Sequence, residues 1–324
     1  MMGKYPIHED FKKYANMQFN INRFLLPISN FYLELVFRSI RSDSLVNISV
    51  EKIPDDRGRK IRLMLYEPVG HTEKLPCLIY FHGGGFILKS AKYRYDIAHS
   101  YCLFTPCKLL FVDYGTTPEN PFPVAAEEGY TVLKWAMEIS EYLRIDADNI
   151  AVAGDSAGGN LAASVAMMAR DRIGKRLSFQ MLIYPALDRR MKTESMRKYT
   201  DTPVWNSELT RKMWDLYLAD KSITDYRYAS PMEAESLINL PDTYIETAEF
   251  DCLHDEALEY AERLKGDGVS VELNETRGTM HGYDIVPDSE IVRQSINMRI
   301  DFMRKTFNKN SKYKCNDYDS TLTK

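Results

Sequence analysis

A serine hydroxyl becomes a nucleophile only with a base in hydrogen-bond reach and an acid to orient that base. One serine of this 324-residue chain is set for such a role: Ser156, in Gly154-Asp155-Ser156-Ala157-Gly158. An apolar run, Ile150 to Ala153, precedes it, and Leu161, Val165 and Met168 follow at helical spacing. The pentapeptide therefore lies at a strand-to-helix corner, the context of a G-x-S-x-G nucleophile elbow. Glycines on either side let the turn close, and the helix start offers unpaired N–H groups where an oxyanion would form. Taken alone, the same pentapeptide also suits a tight structural turn or a phosphate-holding loop.

The partners narrow the choice. Of six histidines, His8, His71 and His99 fall in the N-terminal segment, a turn and an early helix, and His254 begins a late helix. His281 follows the eighth strand-like run in "TRGTMHGYDI", on the edge where Ser156 lies, and is the candidate base. Asp251 closes "DTYIETAEFD" at a strand end and is the candidate acid; Asp255 and Glu256 belong to the first turn of the next helix, where acids serve as dipole partners. His82-Gly83-Gly84-Gly85 comes directly after the third strand, so the N–H groups of Gly83, Gly84 and Ala157 are the expected oxyanion hole. No Lys-Ser/Thr follows these glycines, which argues against a P-loop. His82 reads as a support for the loop. The chain order is Ser156, Asp251, His281.

Eight runs read as strands: 46–53, 60–67, 76–81, 107–113, 149–154, 179–184, 242–249 and 269–275. The first two alternate and suggest an antiparallel edge hairpin, whereas "CLIYF", "LLFVD" and "MLIYP" are continuously apolar, as buried strands are. Helical patterns at 91–104, 124–143, 157–171, 253–266 and 289–307 alternate with the later strands. This alternation predicts an α/β fold, a mostly parallel sheet with helices on both faces and its site at the strands' C-terminal ends. Residues 1–45 and 187–230 break the alternation and are expected to form a lid, or in the second case an oligomer contact. The catalytic domain is then 46–186 with 231–307, followed by a polar tail, 308–324.

Forty-two Lys and Arg against 46 Asp and Glu give a net charge of −4 with no long blocks of one sign. Nucleic acid or an anionic membrane is not an implied partner. Five cysteines, Cys77, Cys102, Cys107, Cys252 and Cys315, form no C-x-x-C pair and fit a reduced, cytoplasmic protein. "FLLPISNFYLELVF", Phe24 to Phe37, is interrupted by Pro27, Asn30 and Glu34 and is too short to span a bilayer, so stable membrane insertion is not expected. The sequons at Asn47 and Asn274 fall in strand-like runs and read as chance.

"HGGG" at 82–85, "GDSAGG" at 154–159, "FDCLHDE" at 250–256 and "MHGY" at 280–283 together make the chain resemble the hormone-sensitive-lipase-like branch of the α/β-hydrolases, the bacterial family IV carboxylesterases. The resemblance spans about Ile61 to Phe307. It implies an α/β-hydrolase fold with an eight-stranded sheet and a helical cap made of the N-terminal and inserted segments. It also implies a serine carboxylesterase acting on short-to-medium acyl esters, with triad Ser156, Asp251 and His281, oxyanion hole Gly83, Gly84 and Ala157, and neither cofactor nor metal. Two departures stand out: Asp113 to Glu119 lacks the family's arginine, and Cys252 replaces the proline after the acid. Phe86, Trp205, Trp214 and Tyr283 are the aromatics expected to wall the substrate pocket. An amidase, formamidase or peptidase would use the same triad, and a non-catalytic receptor would share the fold. The partner is a small-molecule ester, and a homodimer is left open.

Overall fold

The computed structural model describes residues 4–310 apart from 23, 56, 57 and 221. Its eight strands, counted among the described residues, are β1 (Val46–Pro54), β2 (Lys60–Pro68), β3 (Leu75–Phe81), β4 (Lys108–Asp113), β5 (Ile145–Asp155), β6 (Phe179–Ile183), β7 (Asp242–Phe250) and β8 (Val271–Met280). They form one sheet in the order β1-β2-β4-β3-β5-β6-β7-β8. The β1–β2 and β2–β4 pairs are antiparallel, and every pair from β4 to β8 is parallel. The continuously apolar β3 is buried along its whole length, while β1, at the edge, is mostly exposed.

The helices are α1 (Leu26–Ser39), α2 (Lys92–Phe104), α3 (Val124–Glu138), α4 (Ser140–Leu143), α5 (Ala157–Ile173), α6 (Glu194–Lys198), α7 (Ser207–Tyr217), α8 (His254–Gly266) and α9 (Glu290–Asn310). The helix expected over 124–143 is broken at Ile139 into α3 and α4. Two packed pairs, α2 with α9 and α3 with α5, cover the sheet, and both pairs reach its central strands. α5 is buried from Ala157 to Ala169, and its run of alanines lets it sit close to the sheet. Among the described residues no helix is long and apolar enough to cross a membrane. Of the polar tail, residues 308–310 end α9, and 311–324, with Cys315, lie outside the described residues, as do residues 1–3.

The two segments that break the alternation are stitched to each other. Val204 N–H donates to the Met17 carbonyl at 2.8 Å, Gln18 Nε2 to the Asp201 carbonyl at 3.1 Å, and the Tyr5 hydroxyl to Asp201 Oδ1 at 2.5 Å. In the insertion, α7 starts where a cap is available: the Asn206 side chain accepts from Leu209 N–H at 3.1 Å. Leu209, Met213, Trp214 and Tyr217 bury one face of that helix.

Candidate active site

The corner after β5 is strained. Ser156 sits at φ 57°, ψ −119°, a conformation costly for any residue with a side chain. Neighbours hold it there: its N–H donates to the Ile183 carbonyl at 2.8 Å, and its carbonyl accepts from Asn160 and Ala186 N–H, each at 3.2 Å. The glycine two residues on is required by closeness, since a Cβ on Gly158 would lie 2.0 Å from the Phe81 carbonyl oxygen. Asp155, beside the serine, is fully enclosed by donors: Tyr80 hydroxyl at 2.9 Å, Gly83 N–H at 2.9 Å and Arg94 Nε at 2.7 Å. Burial pushes the Asp155 carboxyl up, but the Arg94 guanidinium and these hydrogen bonds outweigh it and hold the carboxyl below its ordinary range.

β7 and β8 end beside each other on this edge. β8 continues five residues past its expected end, to Met280 opposite Phe250, and delivers His281 directly from the strand. His281 Nε2 lies 2.9 Å from Ser156 Oγ, and its Nδ1 lies 2.6 Å from Asp251 Oδ2. Asp251 is fully buried, and its other oxygen accepts from Leu253 N–H at 2.9 Å. The competitors are occupied elsewhere. Asp255 accepts from Ser195 N–H at 2.7 Å and Glu256 from Leu187 N–H at 2.5 Å, so both anchor the insertion onto α8. His8, His71, His99 and His254 bond to Asp10, Glu73, Asp43 and Asp255, away from the serine. His82 is buried with its ring stacked on Tyr114 at 4.4 Å, and burial pushes its imidazole down to about 4.

In the glycine loop, one of the N–H groups expected in the oxyanion hole is already claimed. Gly83 N–H is taken by Asp155 Oδ1, so it does not face the serine. The chain then turns through positive φ at Gly84 (128°), Gly85 (62°) and Phe86 (58°). Among the described residues none accepts from the N–H of Gly84, Gly85 or Ala157. Gly84 and Gly85 line the cavity that Ser156 and His281 also line. Where the resemblance called for an arginine, Gly115 stands, and a Cβ there would already lie 2.9 Å from Asn120 Cγ. The stretch is braced instead by Tyr114, whose hydroxyl donates to the His82 carbonyl at 2.7 Å, and by Thr117, whose N–H donates to the Phe86 carbonyl at 2.7 Å. Cys252 is buried with Sγ 3.4 Å from Thr210 Oγ1.

The cavity holds about 560 Å³ and is walled chiefly by apolar side chains, several from α1, with Trp205 over the base at a ring distance of 6.0 Å from His281. Of the other aromatics expected in its wall, none lines it. Phe86 stacks on Tyr217 at 3.7 Å, Trp214 packs behind that pair, and the Tyr283 hydroxyl turns away to Glu246 and Ser295. Leu25, Leu26 and Ile28 line it instead; the sequence singled out their segment as a lid but none of these side chains.

With serine, imidazole and carboxylate in line and two glycines lining the cavity beside them, the arrangement suits acyl transfer. A family model described as alpha/beta hydrolase fold matches residues 78–285. A carboxylesterase, NlhH, of Mycobacterium tuberculosis is 34% identical over 227 residues, covering 69% of this chain and 71% of its own. The gibberellin receptor GID1B of Arabidopsis thaliana is 28% identical over 280 residues, covering 82% of this chain and 77% of its own. Among solved structures, a bacterial heroin esterase superposes with a TM-score of 0.86 at 30% identity, over 93% of this chain and 98% of that one. By its motifs, its sheet and these likenesses, the chain belongs to the α/β-hydrolase family, in the hormone-sensitive-lipase-like branch.

Proposed function

We propose that the protein is a serine carboxylesterase in which Ser156, His281 and Asp251 act as nucleophile, general base and orienting acid. The observation that carries this reading is the unbroken line Ser156 Oγ, His281 Nε2 at 2.9 Å, His281 Nδ1 to Asp251 at 2.6 Å, opening onto an apolar cavity. His281 takes the serine proton as Oγ attacks the ester carbonyl, and Asp251 holds the imidazole tautomer and stabilises the imidazolium. The N–H groups of Gly84, Gly85 and Ala157 receive the oxyanion. The protonated His281 then gives its proton to the leaving alcohol, and water repeats the cycle on the acyl-enzyme. The N-terminal and inserted segments cap the site, and a cavity of about 560 Å³ suits short-to-medium acyl chains.

A receptor reading, to which the likeness to GID1B points, is disfavoured because the serine and the base are both present and hydrogen-bonded. The test is hydrolysis of p-nitrophenyl esters from acetyl to dodecanoyl, with anilides alongside and Ser156→Ala as control. The reading expects ester turnover that is highest at short or medium chains and absent from the variant. Turnover of anilides but not esters would replace it with an amidase.

A further inference from the structure

Helix α1 is apolar on two faces, and the inward one buries Leu26 and Phe37. Two of its polar side chains, Asn30 and Glu34, point into the body as well: Asn30 Nδ2 donates to the Ile87 carbonyl at 3.0 Å and its Oδ1 accepts from Lys89 N–H at 2.9 Å, while Glu34 bonds to Arg62 Nη1 at 2.8 Å. Its outer face, with the residues just before it, carries Phe24, Leu25, Ile28, Phe31, Tyr32 and Leu35, which are 49% to 88% exposed. An ordinary surface helix keeps its outer face polar. Six large apolar side chains on one ridge mark a face built to be covered.

Two observations say by what. The ridge is continuous with the candidate active site, because Leu25, Ile28 and Tyr32 also line the cavity that holds Ser156. A protein or a second copy seated there would shut the mouth through which an ester must enter. Beyond the C-terminal end of α1 lies a groove of about 360 Å³ lined by Arg38, Arg41, Lys52 and Arg62 together with Ile40 and Val50; Arg38 and Arg62 are paired to Glu34, and Arg62 also to Asp113, so Arg41 and Lys52 are the cations the groove presents. Among the described residues no acidic side chain lines that groove or the cavity. Apolar side chains flanked by cations fit an anionic lipid surface, with the ridge at the acyl boundary and the cations at the headgroups. The net charge of −4 hides this patch, because its cations are concentrated locally.

We propose that residues 24–41 with the adjoining β1 face dock the protein onto anionic lipid surfaces and turn the cavity mouth toward ester held there. The docking itself stands apart from the catalytic assignment; the delivery of ester rests on it.

The experiment is co-sedimentation of the full chain with phosphatidylglycerol and with phosphatidylcholine vesicles, in parallel with hydrolysis of soluble p-nitrophenyl acetate. The proposal expects at least tenfold more protein bound to phosphatidylglycerol, with the binding weakened by salt. It expects the double variant Phe31→Ser, Leu35→Ser to lose at least five-sixths of that binding, and Arg41→Glu, Lys52→Glu to lose the preference for anionic lipid. None of these four residues lines the cavity, so acetate hydrolysis stays within twofold in both variants. Ser156→Ala binds vesicles like the wild type even if the esterase assignment fails. Folded protein that sediments with neither vesicle overturns the proposal. So does a dimer in light scattering that Phe31→Ser, Leu35→Ser breaks, since a second copy would then be the cover.

Discussion

Two acid-bearing clusters stand side by side where β7 and β8 end, and only one is left unfinished. In the first, Asp251 and Ser156 share one imidazole, and the serine faces a cavity. In the second, Glu246 and Asp284 close on the Arg299 guanidinium: Arg299 Nε donates to Glu246 at 3.1 Å and Nη2 to Asp284 Oδ1 at 3.1 Å. Tyr244, Tyr283 and Tyr184 hydroxyls fill the remaining acceptors at 2.9, 2.5 and 2.6 Å. All these groups are buried. Burial pushes both carboxyls up; Arg299 outweighs it at Glu246, which is held below its ordinary range, but not at Asp284, which stays raised. The difference teaches that buried charge alone does not make a site. Chemistry needs a base held between an acid and a nucleophile that faces open space, and structure needs every valence filled. The clusters meet through Tyr184, whose hydroxyl binds Asp284 and whose ring lies edge-on to His281 at 4.9 Å.

The contrast breaks most sharply at the serine. Ser156→Ala should lower kcat about a million-fold while leaving the urea midpoint near the wild type, as expected of triad members that act as a unit. Asp251→Asn should lower kcat about ten-thousand-fold, because the amide favours the wrong imidazole tautomer; a loss under tenfold would remove Asp251 from the mechanism. Arg299→Met should do the opposite. It strands two buried carboxyls and costs about 3–5 kcal/mol in urea denaturation, while activity per folded molecule falls less than tenfold. Equal losses of activity and stability would mean the second cluster takes part in the reaction.

His82 supplies a pH test. The unfolded imidazole protonates near pH 6.5 and the folded one only near about 4, so between these values the unfolded chain binds more protons. Stability should therefore fall as pH drops through that window, by up to about 3 kcal/mol. His82→Phe in the Ser156→Ala background should flatten that slope in urea midpoints taken from pH 7.5 to 4.5; an unchanged slope would assign it to other groups. The smallest effect expected on stability is at the elbow. Ser156→Gly relieves the strain at φ 57° and should stabilise the fold by about 1 kcal/mol while abolishing activity.

Much of this was legible in the sequence because it depends on period and order. Alternation and apolar runs placed the strands, and Gly154, Gly158, Asp251 and His281 marked the strand ends that meet. What was not legible depends on direction in space. Which glycine N–H is already bonded depends on the claim of Asp155 on Gly83, a residue 72 positions away, and on the turn through positive φ at Gly84 and Gly85. The aromatics Phe86, Trp214 and Tyr283 are buried as composition suggests, but against other rings and acids and not against the cavity. The outward face of α1 follows from Asn30 and Glu34 finding partners on β2 and the loop after β3, which no local pattern reveals.

The account rests on Ser156 being the nucleophile, and covalent capture tests that most directly. After treatment with a fluorophosphonate, intact mass followed by peptide mapping should show one adduct per chain, on the peptide carrying Ser156, and none on Ser156→Ala. An adduct on another residue, or none on folded wild-type protein, would contradict it.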